Sequence, residues 1–170
     1  MESIRLNVGC CDMPKSQSEG WVNVDLSTSE HIKADLICDA TDLSKHFKPN
    51  TVDEIYASHL LEHFYPEQGK KAVKHWYELL KPGGTLTVVV PDFKYFAQEY
   101  LNGDIDINEF NDKYIYSYVQ ESHHRYMFDQ ESLMKLMSEI GFSDIRPVDR
   151  YQDPLLVYKV AWQVGVKCIK

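Results

Sequence analysis

A helical segment, a glycine turn and a β-branched segment follow one another between residues 66 and 90. Within Pro66–Leu80 the spacing of apolar residues is that of an amphipathic helix, and Pro66 suits its first turn. Its apolar face carries Ala72, Val73, Trp76, Leu79 and Leu80. The turn Lys81–Gly84 ends the helix. Thr85–Val90 is almost wholly β-branched, as is typical of a central strand covered on both faces. The unit predicts an α/β layer fold.

Shorter signals extend this pattern along the chain. A further helix is predicted at Gln130–Ile140, with Asp129 as its N-cap and Gly141 after its end. Late strands are expected near Ile145–Arg150 and Leu156–Val166, with the turn Asp153-Pro154 between them. Earlier strands are predicted at Ile4–Val8, Trp21–Asp25, Asp35–Cys38 and Val52–Ala57. We expect a mostly parallel sheet with an antiparallel hairpin at its C-terminal end.

The composition narrows the class of protein. A length of 170 residues predicts a single domain, 1–170, that buries a core without disulfides. The net charge of -8 and the lack of a Lys/Arg cluster disfavour nucleic acid as a partner. The chain enters a strand-like run at once, so we expect neither a leader nor a membrane span. Four cysteines without a CxxC pair are expected to be free thiols in the cytoplasm.

A glycine turn and two acids follow the first three predicted strands. Gly9 comes directly after Val8, where a missing Cβ lets the backbone approach a ligand. Asp25 ends the second strand and could accept both hydroxyl hydrogens of a ribose. Asp39 follows the third strand, within reach of an adenine amino group. Each could instead be an ordinary turn residue. In succession they predict a pocket for an adenosine-type ligand at the carboxyl ends of parallel strands.

A dinucleotide fold is disfavoured by the same turn. The GxGxxG fingerprint starting at Gly9 would need glycine at Cys11 and glycine or alanine at Pro14. The residues 14–20 are polar loop material and do not resemble the helix start that a pyrophosphate requires. The predicted pocket therefore suits a nucleoside better than a pyrophosphate.

Four segments together resemble the class I S-adenosylmethionine-dependent methyltransferases: Leu6–Cys10, Gly20–Asp25, Ala57–His63 and Leu80–Gly84. The nearest likeness is to short bacterial members with a GCG turn and a Gly-Trp lead into strand two. The leucine-rich Phe128–Phe142 stretch fits the same family. The resemblance implies a Rossmann-like methyltransferase sheet with helices on both faces, and S-adenosylmethionine as cofactor. It is weak for substrate.

The resemblance also implies roles for individual residues. Asn7, Gly9, Cys10 and Cys11 would surround the methionine part of the cofactor. Asp25 would bind the ribose beside Leu26, Asp39 with Ala40 would meet the adenine, and Ser58 with His59 would line the methyl side. Two positions depart from the family, which usually has an acid at Asn7 and a second glycine at Cys11. The first two connections are short, so their helices are expected to be reduced to turns.

Histidines are the candidates for proton transfer, because imidazole titrates near neutral pH. We assign this role to His59, His123 and His124, and expect Glu121–Phe128 to contact the substrate. His59-Leu60-Leu61-Glu62-His63 also matches the HxxEH pattern of inverted zinc proteases. The motif follows a strand and its downstream acidic ligand is unidentifiable, so we expect no metal site.

The aromatic residues 92–127 are either a lid or substrate insertion, or the core face of extra helices; helical spacing favours the core for most of them. The function we predict is methyl transfer from S-adenosylmethionine to a small-molecule acceptor. The alternative is a degenerate methyltransferase fold that serves as a binding or assembly protein without catalysis.

Overall fold

The computed structural model describes residues 3–116, 123–149, 151–156 and 160–170. These residues form one seven-stranded sheet in the order β3-β2-β1-β4-β5-β7-β6. Neighbouring strands from β3 to β5 are parallel, and β7 runs antiparallel to both β5 and β6. The strands are β1 (Arg5–Val8), β2 (Trp21–Asp25), β3 (Leu36–Ile37), β4 (Val52–Ser58), β5 (Leu80–Pro91), β6 (Ser143–Pro147) and β7 (Gln163–Ile169). The predicted fold class is confirmed.

The helices begin and end where local signals place them. They are α1 (Pro66–Leu79), α2 (Phe93–Asn102), α3 (Ile107–Phe110) and α4 (Gln130–Ile140), and a single π-helical turn, Asn111–Ile115, follows α3. The Asp129 carboxylate accepts a 2.8 Å hydrogen bond from the Ser132 amide and caps α4, and Gly141 ends it at φ 113°. No helix among the described residues is both apolar enough and long enough to cross a membrane.

Apolar side chains of the central strands build the core. On one face Leu86 and Val88 of β5 belong to the same buried cluster as Trp76 of α1 and Leu133 of α4. The Trp76 indole donates a 2.8 Å hydrogen bond to the Ala40 carbonyl, which ties α1 to the loop after β3. On the other face a smaller cluster combines Trp21, Tyr56, Val89 and Leu156. The continuous apolar character of β5 is explained by burial on both faces.

Strand bounds differ from the prediction where pairing overrides local signals. β5 begins at Leu80 because Val52 of β4 already pairs with it, and the predicted turn Lys81–Gly84 forms an irregularity within the strand, since pairing resumes between Glu54 and Thr85. The last strand is Gln163–Ile169 and not Leu156–Val166, because β5 fixes its antiparallel register. Part of the predicted strand, residues 157–159, lies outside the described residues, as does Arg150. Between β1 and β2 the helical structure is limited to the short 3₁₀ turn Gln17–Glu19. This agrees with the prediction that the covering helix is reduced to a turn.

The aromatic segment after β5 forms a third cluster. Phe96 and Tyr114 are buried with their ring centroids 4.9 Å apart, and Ile105 completes the cluster. Trp162, next to β7, packs against it. Tyr95 and Phe110 also pack against this cluster, whereas Phe93, Tyr100, Tyr116 and Tyr126 are exposed, so only part of the aromatic segment forms a core.

Candidate active site

The glycine turn lies at the carboxyl edge of the sheet. Val8 of β1 is in register with Ala57 of β4, so the turn at Gly9 leaves the sheet at the level where β4 ends with Ser58. Gly9 has φ 68°, and the amides of Gly9 and Cys10 donate to the Val24 carbonyl at 2.8 and 3.1 Å. A Cβ at Gly9 would lie 3.0 Å from the Leu60 side chain. The turn therefore requires glycine for both its backbone angle and its packing.

Cys11, at the position where the resemblance expects a second glycine, takes a left-handed conformation. Its φ is 47°, and its amide donates a 2.9 Å hydrogen bond to the Asp25 carboxylate. The other Asp25 oxygen accepts from the Ser27 amide at 2.9 Å. Each oxygen keeps a lone pair for a ribose hydroxyl. Next to Asp25, the Leu26 side chain is 67% exposed and offers an apolar surface at the same edge.

Asp39 and Ala40 follow β3 on the same side of the sheet. Asp39 is exposed, and one of its carboxylate oxygens accepts from the Thr41 amide at 2.8 Å. Ala40 is buried. Near them Ile37 is 49% exposed. The predicted cofactor residues thus lie at or just after the ends of β1, β2, β3 and β4. The exposed apolar side chains and the remaining lone pairs of Asp25 fit the adenosine part of the cofactor.

The amide nitrogen of Asn7 is taken up by internal hydrogen bonds. The residue is buried, and its amide nitrogen donates to the Met13 carbonyl at 3.1 Å and to Asn23 Oδ1 at 2.9 Å. Asn23, its register partner on β2, also binds both backbone groups of Lys15 and the Asp35 carboxylate. This buried network holds the loop between β1 and β2. The methionine end of the predicted site therefore lacks the acid that the family usually places there.

Glu62 is the centre of a buried cluster at the end of β4. It lies on a 3₁₀ turn, Leu61–His63, and its side chain is 2% exposed. Nδ1 of His59 lies 3.3 Å from Oε1, and Nε2 of His124 lies 3.9 Å from the same oxygen. Neither carboxylate oxygen accepts a well-formed hydrogen bond from any of the residues that the structure describes. The His59 ring is also bonded through Nε2 to the buried Gln163 at 3.1 Å.

The cluster sets the charges of its members. Burial opposes a charge on Glu62, but the contact with His59 and the charges of His63 and His124 outweigh it, so the pKa of the carboxyl is below its ordinary value. Burial also opposes protonation of His59, yet Glu62 and Gln163 raise the pKa of its imidazole. Burial lowers the pKa of His124. These directions favour a charged carboxylate on Glu62 and a charged imidazole on His59, and oppose a charge on His124.

Of the three histidines predicted for catalysis, the structure brings His59 and His124 together and places His123 apart. The His123 side chain is exposed and packs edge-on against Tyr116, with ring centroids 5.1 Å apart. The two zinc-protease histidines do not share a helix, since His59 precedes the 3₁₀ turn at φ 53°. The sequence did not predict a role for Gln163. No motif includes this residue, and its contact with His59 arises only because the fold brings the start of β7 beside the end of β4.

Main-chain hydrogen bonds hold residues 123–128 against the cluster. The amides of Arg125 and Tyr126 donate to the Glu62 carbonyl at 2.7 and 3.2 Å. The Phe93 amide donates to the Phe128 carbonyl at 2.8 Å. Of the segment Glu121–Phe128 expected to contact substrate, residues 121 and 122 lie outside the described residues. The rest is anchored to the end of β4.

Two cavities lie away from the predicted cofactor residues. One, of about 300 Å³, opens between the start of α1 and the face of α4, and includes Leu61, Phe64, Tyr126 and Phe128 in its wall. The other, of about 360 Å³, lies by β6 and the loop that follows it. The first adjoins the Glu62 turn through Leu61.

A family model described as "Methyltransferase domain" matches residues 14–146 of the chain. The chain therefore belongs to this methyltransferase family, and its sheet is that of the class I S-adenosylmethionine-dependent methyltransferases. No curated protein matches the sequence.

Solved structures show the same fold. A SAM-dependent methyltransferase from Archaeoglobus fulgidus is 16% identical with a TM-score of 0.67, over 99% of this chain and 86% of that chain. A SAM-dependent methyltransferase from Thermotoga maritima is 18% identical with a TM-score of 0.66, over 100% and 83%. The 1,6-didemethyltoxoflavin-N1-methyltransferase of Burkholderia thailandensis is 13% identical with a TM-score of 0.61, over 99% and 71%.

Proposed function

We propose that this protein transfers a methyl group from S-adenosylmethionine to a small-molecule acceptor. The observation that carries the proposal is the buried Glu62 cluster beside the glycine turn. It puts titratable groups at the end of β4, next in the sheet to the strand end that would meet the cofactor. Family membership supports the transfer chemistry, and the geometry supports its location.

The cofactor side is assigned to the edge formed by β1, β2 and β3. Asp25 would bind the ribose, Leu26 would pack on the adenine, and Gly9 would allow close approach of the backbone. The sulfonium of S-adenosylmethionine supplies an already activated methyl group, so the protein has to align the reactants and exclude water. Asn7 carries no negative charge for the cofactor's ammonium group and its amide nitrogen is bound internally, so we expect the adenosine part to supply most of the affinity.

The acceptor side is assigned to the ends of β4 and β5. Residues 123–128 would contact the acceptor from above the Glu62 turn, and His59 and His124 are the groups nearest to the buried carboxylate. A proton acceptor is needed only if the nucleophile must lose a proton. A small acceptor is supported by the Burkholderia neighbour, whose structure contains 1,6-didemethyltoxoflavin and S-adenosylhomocysteine.

The alternative, a fold that has lost catalysis and serves in assembly, is not favoured. Departures at Asn7 and Cys11 motivate it, but Cys11 still adopts the left-handed turn and its amide orients Asp25. With cysteine at this position the turn still places the Cys11 amide on the Asp25 carboxylate.

Calorimetry with S-adenosylmethionine and S-adenosylhomocysteine tests the cofactor side. We expect a dissociation constant on the order of micromolar, which corresponds to about 8 kcal/mol. Asp25→Asn should weaken binding by about tenfold or more, since an amide nitrogen cannot accept from a ribose hydroxyl. Asp112→Asn changes an exposed acid outside the site and is the matched control. Absence of heat with both ligands would overturn the proposal.

Transfer of labelled methyl to a panel of hydroxylated and amino small molecules tests the acceptor side. With an acceptor in hand, His124→Ala should lower kcat/KM by about 10² or more while the cofactor affinity stays unchanged. His46→Ala, in an exposed loop outside the cluster, should keep the native rate. Equal rates in both variants would remove the cluster from the proposed site.

A further inference from the structure

We propose that Glu62, His63 and His124 bind a divalent transition-metal ion. One ligand atom from each of these three residues lies within 4.8 Å of the other two. Two imidazoles and one carboxylate are a donor set that zinc and related ions accept in proteins. The inference goes beyond methyl transfer, and the bound metal can be measured without any assay of activity.

The Glu62 carboxylate is a buried group that a cation would neutralise. Both oxygens of Glu62 are buried, and among the described residues neither accepts a well-formed hydrogen bond. A carboxylate withdrawn from water needs hydrogen bonds, counter-charge or a metal. His59 supplies one contact at 3.3 Å, to Oε1 alone. A cation at the cluster would satisfy the remaining capacity of the carboxylate.

The two histidines are oriented for coordination by their other ring nitrogens. Nδ1 of His124 is bonded to the Tyr114 carbonyl, and Nδ1 of His63 lies 3.3 Å from the His123 carbonyl. A carbonyl oxygen can only accept, so each Nδ1 carries a hydrogen and each neutral ring keeps its lone pair on Nε2. In protein metal sites a backbone carbonyl commonly orients a ligating histidine in this way.

The spacing requires only side-chain adjustment. The His63 and His124 rings lie edge to face with centroids 4.9 Å apart, and Nε2 of His124 is 3.9 Å from Oε1 of Glu62. Metal bonds of about 2.1 Å in a tetrahedral site would place the ligand atoms roughly 3.4 Å apart. His63 is only half-buried and can rotate to close this difference. Three protein ligands would leave a coordination position open for an oxygen of an acceptor or water.

The chain order also separates this site from the HxxEH motif. In that motif both histidines hold the metal and the glutamate is the base. Here His59, the first histidine of the motif, contacts Glu62 and is not a metal ligand. The second histidine ligand is His124, which lies far from the motif in sequence. The proposed role of His59 is to position the carboxylate and not to bind the ion.

Metal analysis of the purified, metal-loaded protein tests the proposal. After dialysis against Zn²⁺ and removal of excess, we expect one equivalent of zinc in the native chain. Glu62→Gln and His124→Ala should weaken zinc binding by at least about tenfold, whereas His46→Ala should bind as the native chain does. Native circular dichroism in each variant will show that the loss is not unfolding.

Cobalt substitution distinguishes the cluster from the cysteines. Co²⁺ bound by two imidazoles and a carboxylate should give visible d–d bands without a thiolate charge-transfer band. A thiolate band would place the ion at Cys10 or Cys11 and overturn the proposal. So would zinc binding that persists in Glu62→Gln, or no stoichiometric zinc in the native chain. Heat with S-adenosylmethionine in the metal-free protein would leave the proposed function standing in any of these cases.

Discussion

Gly9 and Cys11 lie two residues apart in the turn after β1, and both have a positive φ, 68° and 47°. A residue with a Cβ costs roughly 1–2 kcal/mol in this conformation. Glycine avoids this conformational cost at Gly9, whereas Cys11 has a Cβ and pays it in full. The bond from the Cys11 amide to Asp25 helps to hold the strained conformation. Strain of this kind is concentrated at functional sites.

Gly9→Ala should destabilise the protein more than Gly103→Ala. Both positions have positive φ, but a Cβ at Gly9 would meet Leu60 at 3.0 Å, while one at Gly103 would have no heavy atom within 4 Å. We expect a loss of about 1 kcal/mol at Gly103 and of 2 kcal/mol or more at Gly9, measured by urea unfolding. Only the Gly9 variant should also lose affinity for S-adenosylhomocysteine. Equal losses of stability in the two variants would mean that the Leu60 side chain can move away from the new Cβ at little cost.

Asn7→Asp should destabilise the fold even though it introduces the acid usual in the family. A carboxylate cannot donate to the Met13 carbonyl or to Asn23 Oδ1, which the Asn7 amide now contacts. Losing both bonds, and placing a carboxylate against Asn23 Oδ1, should lower the free energy of unfolding by about 1–3 kcal/mol. The control, Asn108→Asp, changes an exposed asparagine and should stay within about 0.5 kcal/mol. An unchanged unfolding midpoint for Asn7→Asp would contradict the network described above.

At the scale of elements, α4 illustrates how local and tertiary signals combine. Its cap, Asp129, accepts from the Ser132 amide and hydroxyl, and these bonds with Lys94 lower the pKa of the carboxyl. A carboxyl whose pKa is lower in the folded state stabilises the protein above the unfolded pKa of about 3.9. The contribution disappears as pH falls through the folded pKa.

Asp129→Ala should therefore cost about 1 kcal/mol at neutral pH and progressively less towards pH 2. Chemical denaturation of both proteins across this range measures the difference. Asp104→Ala removes an exposed acid with no cap assigned to it and should leave the unfolding free energy nearly unchanged at neutral pH. A difference that stays constant with pH would show that the cap acts through packing alone.

The bounds of α4 could be predicted because Asp129 and Gly141 are neighbours of the helix in sequence. The bounds of β7 could not, because its position depends on pairing with β5 about 80 residues earlier. The site divides in the same way. The motif around His59 and Glu62 is visible in the sequence, whereas its contact with His124 exists only through tertiary structure. The Asn7–Asn23 pair required the register of β1 and β2.

At the scale of the whole molecule, the core around the central strands and the aromatic cluster after β5 are built from different elements. β4 and β5 are central strands, buried on both faces. The aromatic cluster of Phe96, Ile105 and Tyr114 is built mainly from α2 and the residues that follow it. That residues 92–127 act as a lid or substrate insertion stays a prediction.

Native-state hydrogen exchange should separate these two cores. Amides of β4 and β5 should exchange only by global unfolding, and those of α2 should exchange through a local opening of lower free energy. The denaturant dependence of exchange measures both. Equal protection of α2 and β5 would show one cooperative unit and remove the structural basis for a lid.

The anchoring of residues 123–128 through backbone amides has an evolutionary consequence. Because the Glu62 carbonyl is bound by the amides of Arg125 and Tyr126, substitution of either side chain leaves those bonds in place. Both side chains are exposed. Drift at these two positions can therefore alter what the surface recognises while the histidines keep their positions. Directed evolution of acceptor choice could start at these two positions, because changing their side chains leaves intact the backbone hydrogen bonds that hold the site.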